Sequence, residues 1–250
     1  MLTLSCGHDL DIPSVRGEFV SEVFELKGYG SLPYNILFPE DYNGKREYPL
    51  VFFLHGAGER GNDNKSQLKH IAPFLSSTEN RAKFPAILVF PQCPTKDYWA
   101  SVDRSNGEWN VGSSDRPTAA GLKAEKLLED IIKRYQVDEK RVYLNGISMG
   151  AFGTYSILAR CPEKITAAIA VSGGGDANNA VKYKEVPLKI FHGEKDSVVP
   201  VALSRNIASE LERLKAPFSY MEYPDMDHNI WDNVYKNPET LTWLFSQSKP

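Results

Sequence analysis

The stretch Gly146-Ile147-Ser148-Met149-Gly150 sets a serine between glycines, after the strand-like run Arg141–Leu144 and before a helix-like run, Ala151–Arg160. A strand-to-helix turn this tight forces the serine into a strained backbone, and glycine neighbours remove the side chains that would clash. The Ser148 hydroxyl is thereby lifted above the sheet edge, where the helix start offers backbone N–H groups and a positive dipole end to developing negative charge. A serine becomes a nucleophile only when a base takes its proton, so a histidine and an orienting carboxylate are needed. Both occur downstream. The run Leu188–Phe191 ends in His192-Gly193-Glu194-Lys195-Asp196-Ser197-Val198-Val199-Pro200, where Asp196 is the candidate orienter. Asp196 or Ser197 would equally serve as cap of a helix opened by Pro200. The run Phe218–Tyr223 ends in Pro224-Asp225-Met226-Asp227-His228, and His228 is the candidate base. The other histidines fit less well: His8 lies in the N-terminal tail, His70 in a helix-like stretch, and His192 beside a glycine, where it would shape the acid loop.

Side chains so far apart in sequence need a frame that brings them together. Phe19–Lys27 and Leu32–Phe38, joined by Gly28-Tyr29-Gly30, look like a hairpin. Leu50–Leu54, Ala86–Phe90, Arg141–Leu144, Ile165–Val171 and Leu188–Phe191 are short apolar runs of the kind buried on both faces. Ala119–Tyr135 and Val201–Leu214 carry their apolar residues on one helical face. Strands alternating with helices predict a mostly parallel sheet with an antiparallel edge, and loops after the strand ends that build the site.

Val51–Asn64, VFFLHGAGERGNDN, admits two readings. Gly56-x-Gly58-x-x-Gly61 matches a dinucleotide fingerprint, whereas His55-Gly56 could open a loop that offers N–H groups to an oxyanion. The dinucleotide reading needs a helix starting within the glycines and an acid at the end of the next strand. Asn62-Asp63-Asn64 instead prolongs the loop, and Ala86–Phe90 runs into Pro91-Gln92-Cys93 without an acid. The loop is read as an oxyanion loop, and no cofactor is expected.

The 250 residues, 42% hydrophobic and 24% charged, suffice for one domain with a buried core, with residues 1–18 as an N-terminal extension. The net charge of -3 and the absence of a basic block argue against a nucleic-acid partner. No apolar run approaches the roughly 18 residues of a membrane span. Cys6, Cys93 and Cys161 show no metal-ligand spacing, and three free thiols or one disulfide both remain open. The start of the chain is too short and polar for a signal peptide, so the protein is either cytoplasmic or begins after a removed export signal. Neither the compartment nor the oligomeric state is legible.

GISMG, HGEKDSVVP, DHNIW and LHGAGERG together resemble the α/β-hydrolase superfamily, over the chain from about Val20 to its end. The resemblance is to its esterase branch: dienelactone-hydrolase-like carboxylesterases, polyhydroxybutyrate depolymerases and feruloyl esterases. It implies an α/β-hydrolase fold, a Ser148–Asp196–His228 triad, and the backbone N–H groups of Ala57 and Met149 as oxyanion donors; the short segment Gly173–Glu185 between the sixth and seventh strands leaves no room for a large cap domain. It also implies hydrolysis of a carboxylic ester, small or polysaccharide-linked, through an acyl-enzyme and without a metal. Tyr98, Trp99 and Trp231 stand where rings could flank an acyl group, which leans the reading toward a hydroxycinnamoyl (feruloyl) ester. A short-chain carboxylesterase or acetyl esterase, a peptidase of the prolyl-oligopeptidase type and a non-catalytic binding module are the alternatives.

Overall fold

The structure is a computed structural model and describes residues 17–106 and 108–250. Its strands, in chain order, are β1 (Val20–Leu26), β2 (Gly30–Leu37), β3 (Tyr48–Leu54), β4 (Ile87–Pro91), β5 (Val102–Asp103), β6 (Asn110–Val111), β7 (Val137–Ile147), β8 (Ala167–Val171), β9 (Leu188–Gly193) and β10 (Phe218–Tyr223). Eight of them form one sheet in the order β1-β2-β4-β3-β7-β8-β9-β10, and β5 with β6 makes a separate hairpin. The β1–β2 and β2–β4 pairs are antiparallel, and every pair from β4 to β10 is parallel. Gly28 and Gly30 turn the β1–β2 hairpin at φ of 84° and 75°, values that glycine adopts without strain.

The helices are α1 (Ala72–Leu75), α2 (Thr78–Lys83), α3 (Ala119–Arg134), α4 (Met149–Arg160), α5 (Ala202–Arg213), α6 (Trp231–Tyr235) and α7 (Pro238–Ser246). Alternation along each strand divides the core. Leu50, Phe52 and Leu54 of β3 meet Leu127 and Ile131 of α3, Leu158 of α4 and Ile207 of α5 in one layer. Val51 and Phe53 face the opposite layer, with Leu75 of α1, Val234 of α6 and Leu244 of α7. Each such side chain contributes about 1.5–3 kcal/mol on leaving water, which explains why the central strands are apolar on both faces. This is the α/β-hydrolase architecture.

Element limits differ from the sequence expectation where local chemistry overrides hydrophobic pattern. Helix α4 starts at Met149, not Ala151, because Ser148 alone makes the turn. Strand β8 starts at Ala167, not Ile165: Ile165 closes a 3-10 turn, and the Thr166 hydroxyl accepts from Val142 N–H and donates to Lys140 O. Strands β8 and β9 are separated by little more than a 3-10 stretch, Ala177–Lys182. The β5–β6 hairpin, between β4 and α3, had no signal in the sequence pattern. Cys93 and Cys161 are buried free thiols, and Cys6 lies outside the described residues. Among the described residues no helix is long and apolar enough to cross a membrane.

Candidate active site

The C-terminal ends of β3, β7, β9 and β10 point the same way, so residues 55–64, Ser148, residues 194–200 and residues 224–230 converge. Ser148 sits at φ 51° and ψ −120°, a conformation that costs about 1–3 kcal/mol and persists only when its surroundings hold it. They do: its N–H donates to Val171 O on β8 at 2.8 Å. A side chain at Gly150 would strike the carbonyl oxygens of Leu54 and His55, and one at Gly146 would strike that of Gly150. Both glycines are therefore required for α4 to press against the ends of β3 and β7.

Ser148 Oγ lies 2.8 Å from His228 Nε2, and His228 Nδ1 lies 2.7 Å from Asp196 Oδ2. The Asp196 side chain has no solvent exposure, and its Oδ1 accepts from the Val198 and Val199 N–H groups at 2.8 Å each. Burial by itself raises its pKa. The contacts to His192 and His228 and the two backbone donors outweigh that and hold the carboxyl well below the usual carboxylate range. An ionised carboxylate only accepts hydrogen bonds, so His228 Nδ1 carries the hydrogen and Nε2 is left to accept from the serine hydroxyl. Ser172 Oγ donates to His228 O at 2.8 Å, and Asp227 Oδ1 accepts from His228 N–H at 2.7 Å. Asp227 also ties down Ser197, whereas Asp225 pairs at the surface with Lys195. Neither acid reaches the His228 ring, the place that Asp196 occupies.

His192 is a second imidazole at the same carboxylate. It is fully buried, and its Nε2 stands 3.0 Å from Val199 O and 3.1 Å from Asp196 Oδ2. Both neighbours are acceptors, so Nε2 carries its hydrogen. Nδ1 meets Ser204 Oγ of α5 at 2.7 Å. The sequence reading placed His192 in the acid loop but missed this contact, because nothing in the spacing separates it from ordinary packing. His192→Leu is expected to lower kcat roughly ten- to hundredfold, the size of a lost hydrogen bond to a charged group, with KM nearly unchanged. His192→Gln returns an amide N–H to about the same place and should recover part of the loss. Steady-state kinetics of the two variants checks this, and equal kcat in His192→Leu and wild type would refute it.

The backbone N–H groups of Ala57 and Met149 have no protein acceptor among the described residues, and both residues border the same cavity as Ser148. The loop carrying Ala57 is fixed from beneath. Cys93 N–H donates to His55 Nε2 at 2.9 Å, so the His55 Nδ1 hydrogen goes to Gly56 O at 2.6 Å. Burial lowers the His55 pKa to about 4, keeping the ring neutral in this structural role. Gln92, at the place where a dinucleotide fold would need an acid, donates to Glu59 O and Asp63 Oδ1 and accepts from Asn64 N–H. That side chain is used up in stapling the loop. Trp99 must be corrected from pocket residue to strut: it is fully buried, and its Nε1 donates to His55 O at 3.0 Å.

The cavity beside Ser148 has a volume of about 160 Å³ and is walled by Tyr98, Trp109, Phe152, Val199 and Arg104, among others. Trp109, from the β5–β6 hairpin, is stacked on Phe152 with centroids 5.6 Å apart and planes at 14°. Trp231 is not in this wall. It stands edge-on behind the His228 ring at 5.6 Å and against His70 at 5.5 Å, and so backs the His228 ring. His70 Nε2 lies 3.1 Å from Glu59 Oε1. Trp109 and Phe152 escaped the sequence reading, one in the connection between two strands of two residues each and the other inside a helix, where an apolar residue serves the core as readily as a cleft.

A model of phospholipase/carboxylesterase proteins matches residues 42–238, a span that contains all of the converging loops. The chain belongs to the phospholipase/carboxylesterase family. Similar proteins include a thermostable esterase of known structure, 34% identical with a TM-score of 0.85, covering 92% of this chain and 63% of that one. A bifunctional acetylxylan esterase/xylanase of Neocallimastix patriciarum is 27% identical over 196 residues, 78% of this chain and 26% of that protein. A probable feruloyl esterase C of Aspergillus terreus is 26% identical over 174 residues, 67% of this chain and 56% of that protein. This family member thus spans about a quarter to just over half of the length of those two curated relatives.

Proposed function

We propose that the protein hydrolyses carboxylic esters through an acyl-enzyme on Ser148, and that it prefers hydroxycinnamoyl esters. The observation that carries the reading is the Ser148–His228–Asp196 hydrogen-bond chain opening into an aromatic cavity beside two free N–H donors. In this mechanism His228 Nε2 takes the hydroxyl proton as Ser148 Oγ attacks the carbonyl carbon. The oxygen that becomes negative is received by the Ala57 and Met149 N–H groups, a contribution of about 2.7–4 kcal/mol per donor. His228 then gives its proton to the leaving alcohol, and the same steps with water release the acid.

The acyl preference follows from the wall. A planar hydroxycinnamoyl ring can pack on Tyr98 or Trp109, and each aromatic contact contributes about 0.5–1.5 kcal/mol beyond area burial, a several-fold preference. Methyl ferulate is expected to show a higher kcat/KM than methyl acetate, and Trp109→Ala is expected to erode that ratio several-fold. Side-by-side kinetics of the two methyl esters and an aminoacyl-nitroanilide tests the reading. A ratio favouring acetate removes the hydroxycinnamoyl preference and leaves the esterase. Preferred cleavage of the nitroanilide replaces it with a peptidase.

A further inference from the structure

Among the described residues, Arg104 is the one charged side chain in the wall of the cavity that holds Ser148; the other lining residues are apolar or neutral. Its guanidinium carbon lies 4.7 Å from the centroid of the Trp109 ring, which itself rests on Phe152. Stacking on a ring holds the guanidinium by its face and leaves its N–H edge free to donate. Among the described residues, no carboxylate lies within 4.0 Å of Arg104. Arg134, Arg141, Arg160, Arg205 and Arg213 elsewhere in the chain each have such a partner. Arg60 adds a second cation at the cleft: it lies 4.5 Å from the ring centroid of Tyr98, with its hydrogen bonds going to the carbonyls of Ala57 and Asp97. Two arginines, Arg104 in the wall and Arg60 behind Tyr98, thus stand at the site in a chain whose net charge is -3.

We propose that the site takes esters carrying a carboxylate close to the scissile bond, and that the Arg104 guanidinium binds it. This rests on the reading of Ser148 as the nucleophile of an ester hydrolase. A planar guanidinium matches a carboxylate with two parallel charge-assisted hydrogen bonds, roughly twice as strong as neutral ones. The partly enclosed, apolar surroundings strengthen that attraction relative to open water. The carboxylate can belong to the acyl group or to the alcohol, and the two sources call for different substrates.

The test uses two pairs of esters matched in shape. On the acyl side, the mono-p-nitrophenyl ester of glutaric acid is compared with p-nitrophenyl 5-methylhexanoate; on the alcohol side, feruloyl glycolate is compared with isobutyl ferulate. The quantity read is the ratio of kcat/KM, charged over neutral, at pH 7 and low salt after subtraction of the spontaneous rate. Intrinsic reactivity cancels when that ratio is compared between wild type and variants. In one pair the ratio is expected to fall about tenfold or more in Arg104→Ala, fall further in Arg104→Glu, and stay closer to wild type in Arg104→Lys. The pair that responds identifies the side of the ester that bears the carboxylate. Ratios that are the same in wild type and Arg104→Glu for both pairs overturn the proposal and leave the esterase reading intact. If no ester of either pair is hydrolysed in a Ser148-dependent way, both fall together.

Discussion

Ser148→Ala is expected to reduce ester turnover by roughly a millionfold, the loss seen when a serine nucleophile is removed and the remaining groups have nothing to activate. The base would then face a methyl group, and the chemistry would revert to unassisted attack by water, helped only by the oxyanion donors and binding. Stability should hardly change. The backbone anchors of the turn, from Ser148 N–H to Val171 O and from Ala151 N–H to Ser148 O, do not involve the hydroxyl. Alanine has the same Cβ as serine, so it meets the positive φ of 51° with the same strain. One lost hydrogen bond to His228 amounts to about 0.5–1.5 kcal/mol, or a shift in Tm of a few degrees for a chain of this size. Turnover of p-nitrophenyl esters together with a thermal melt decides the matter. Activity above about a thousandth of wild type in a folded variant removes Ser148 as nucleophile.

How much of this was legible depended on whether a residue acts through chain neighbours or through partners distant in sequence. The central strands were readable because burial on both faces leaves no room for polar residues, as in the fully buried run of β3. Ser148, Asp196 and His228 could be picked out because each lies in a loop that follows a strand-like run, in an order that a parallel sheet brings to one edge. The contact of His192 with Asp196 and that of Ser172 with the His228 carbonyl were not readable, since a buried histidine or serine has no sequence period. Trp99 was misjudged for a related reason. An aromatic residue after a strand can point up into a cleft or down into the core, and only the acceptor it finds, His55 O, decides between them. The hairpin that brings Arg104 and Trp109 over the cavity has strands of two residues each, too short for any periodic signal.

Asp196→Asn is expected to lower kcat by about 10³–10⁴-fold with little change in KM, because it reverses one hydrogen bond. All four neighbours of the carboxylate, the rings of His192 and His228 and the N–H groups of Val198 and Val199, present hydrogen-bond donors to it. An amide has one oxygen and one NH2, so one end must meet donors. If the oxygen stays with the two backbone groups, the NH2 faces the imidazoles. The His192 hydrogen can still go to Val199 O, but His228 can accept from the amide only by giving up its Nδ1 hydrogen. Its Nε2 then carries the hydrogen and cannot take one from Ser148. Stability should follow pH in a matching way. The wild-type carboxyl is held below its usual range in the folded protein, so its ionised form stabilises the fold above about pH 4, the unfolded value. That stabilisation drains away as pH falls below this and through the lower folded value. The asparagine variant has no such group to protonate. The gap in unfolding free energy between wild type and variant should therefore be widest near pH 7 and narrow toward pH 3. Urea titrations at the two pH values measure it, and a gap that is constant or widens in acid would show that Asp196 is not held ionised by these four donors.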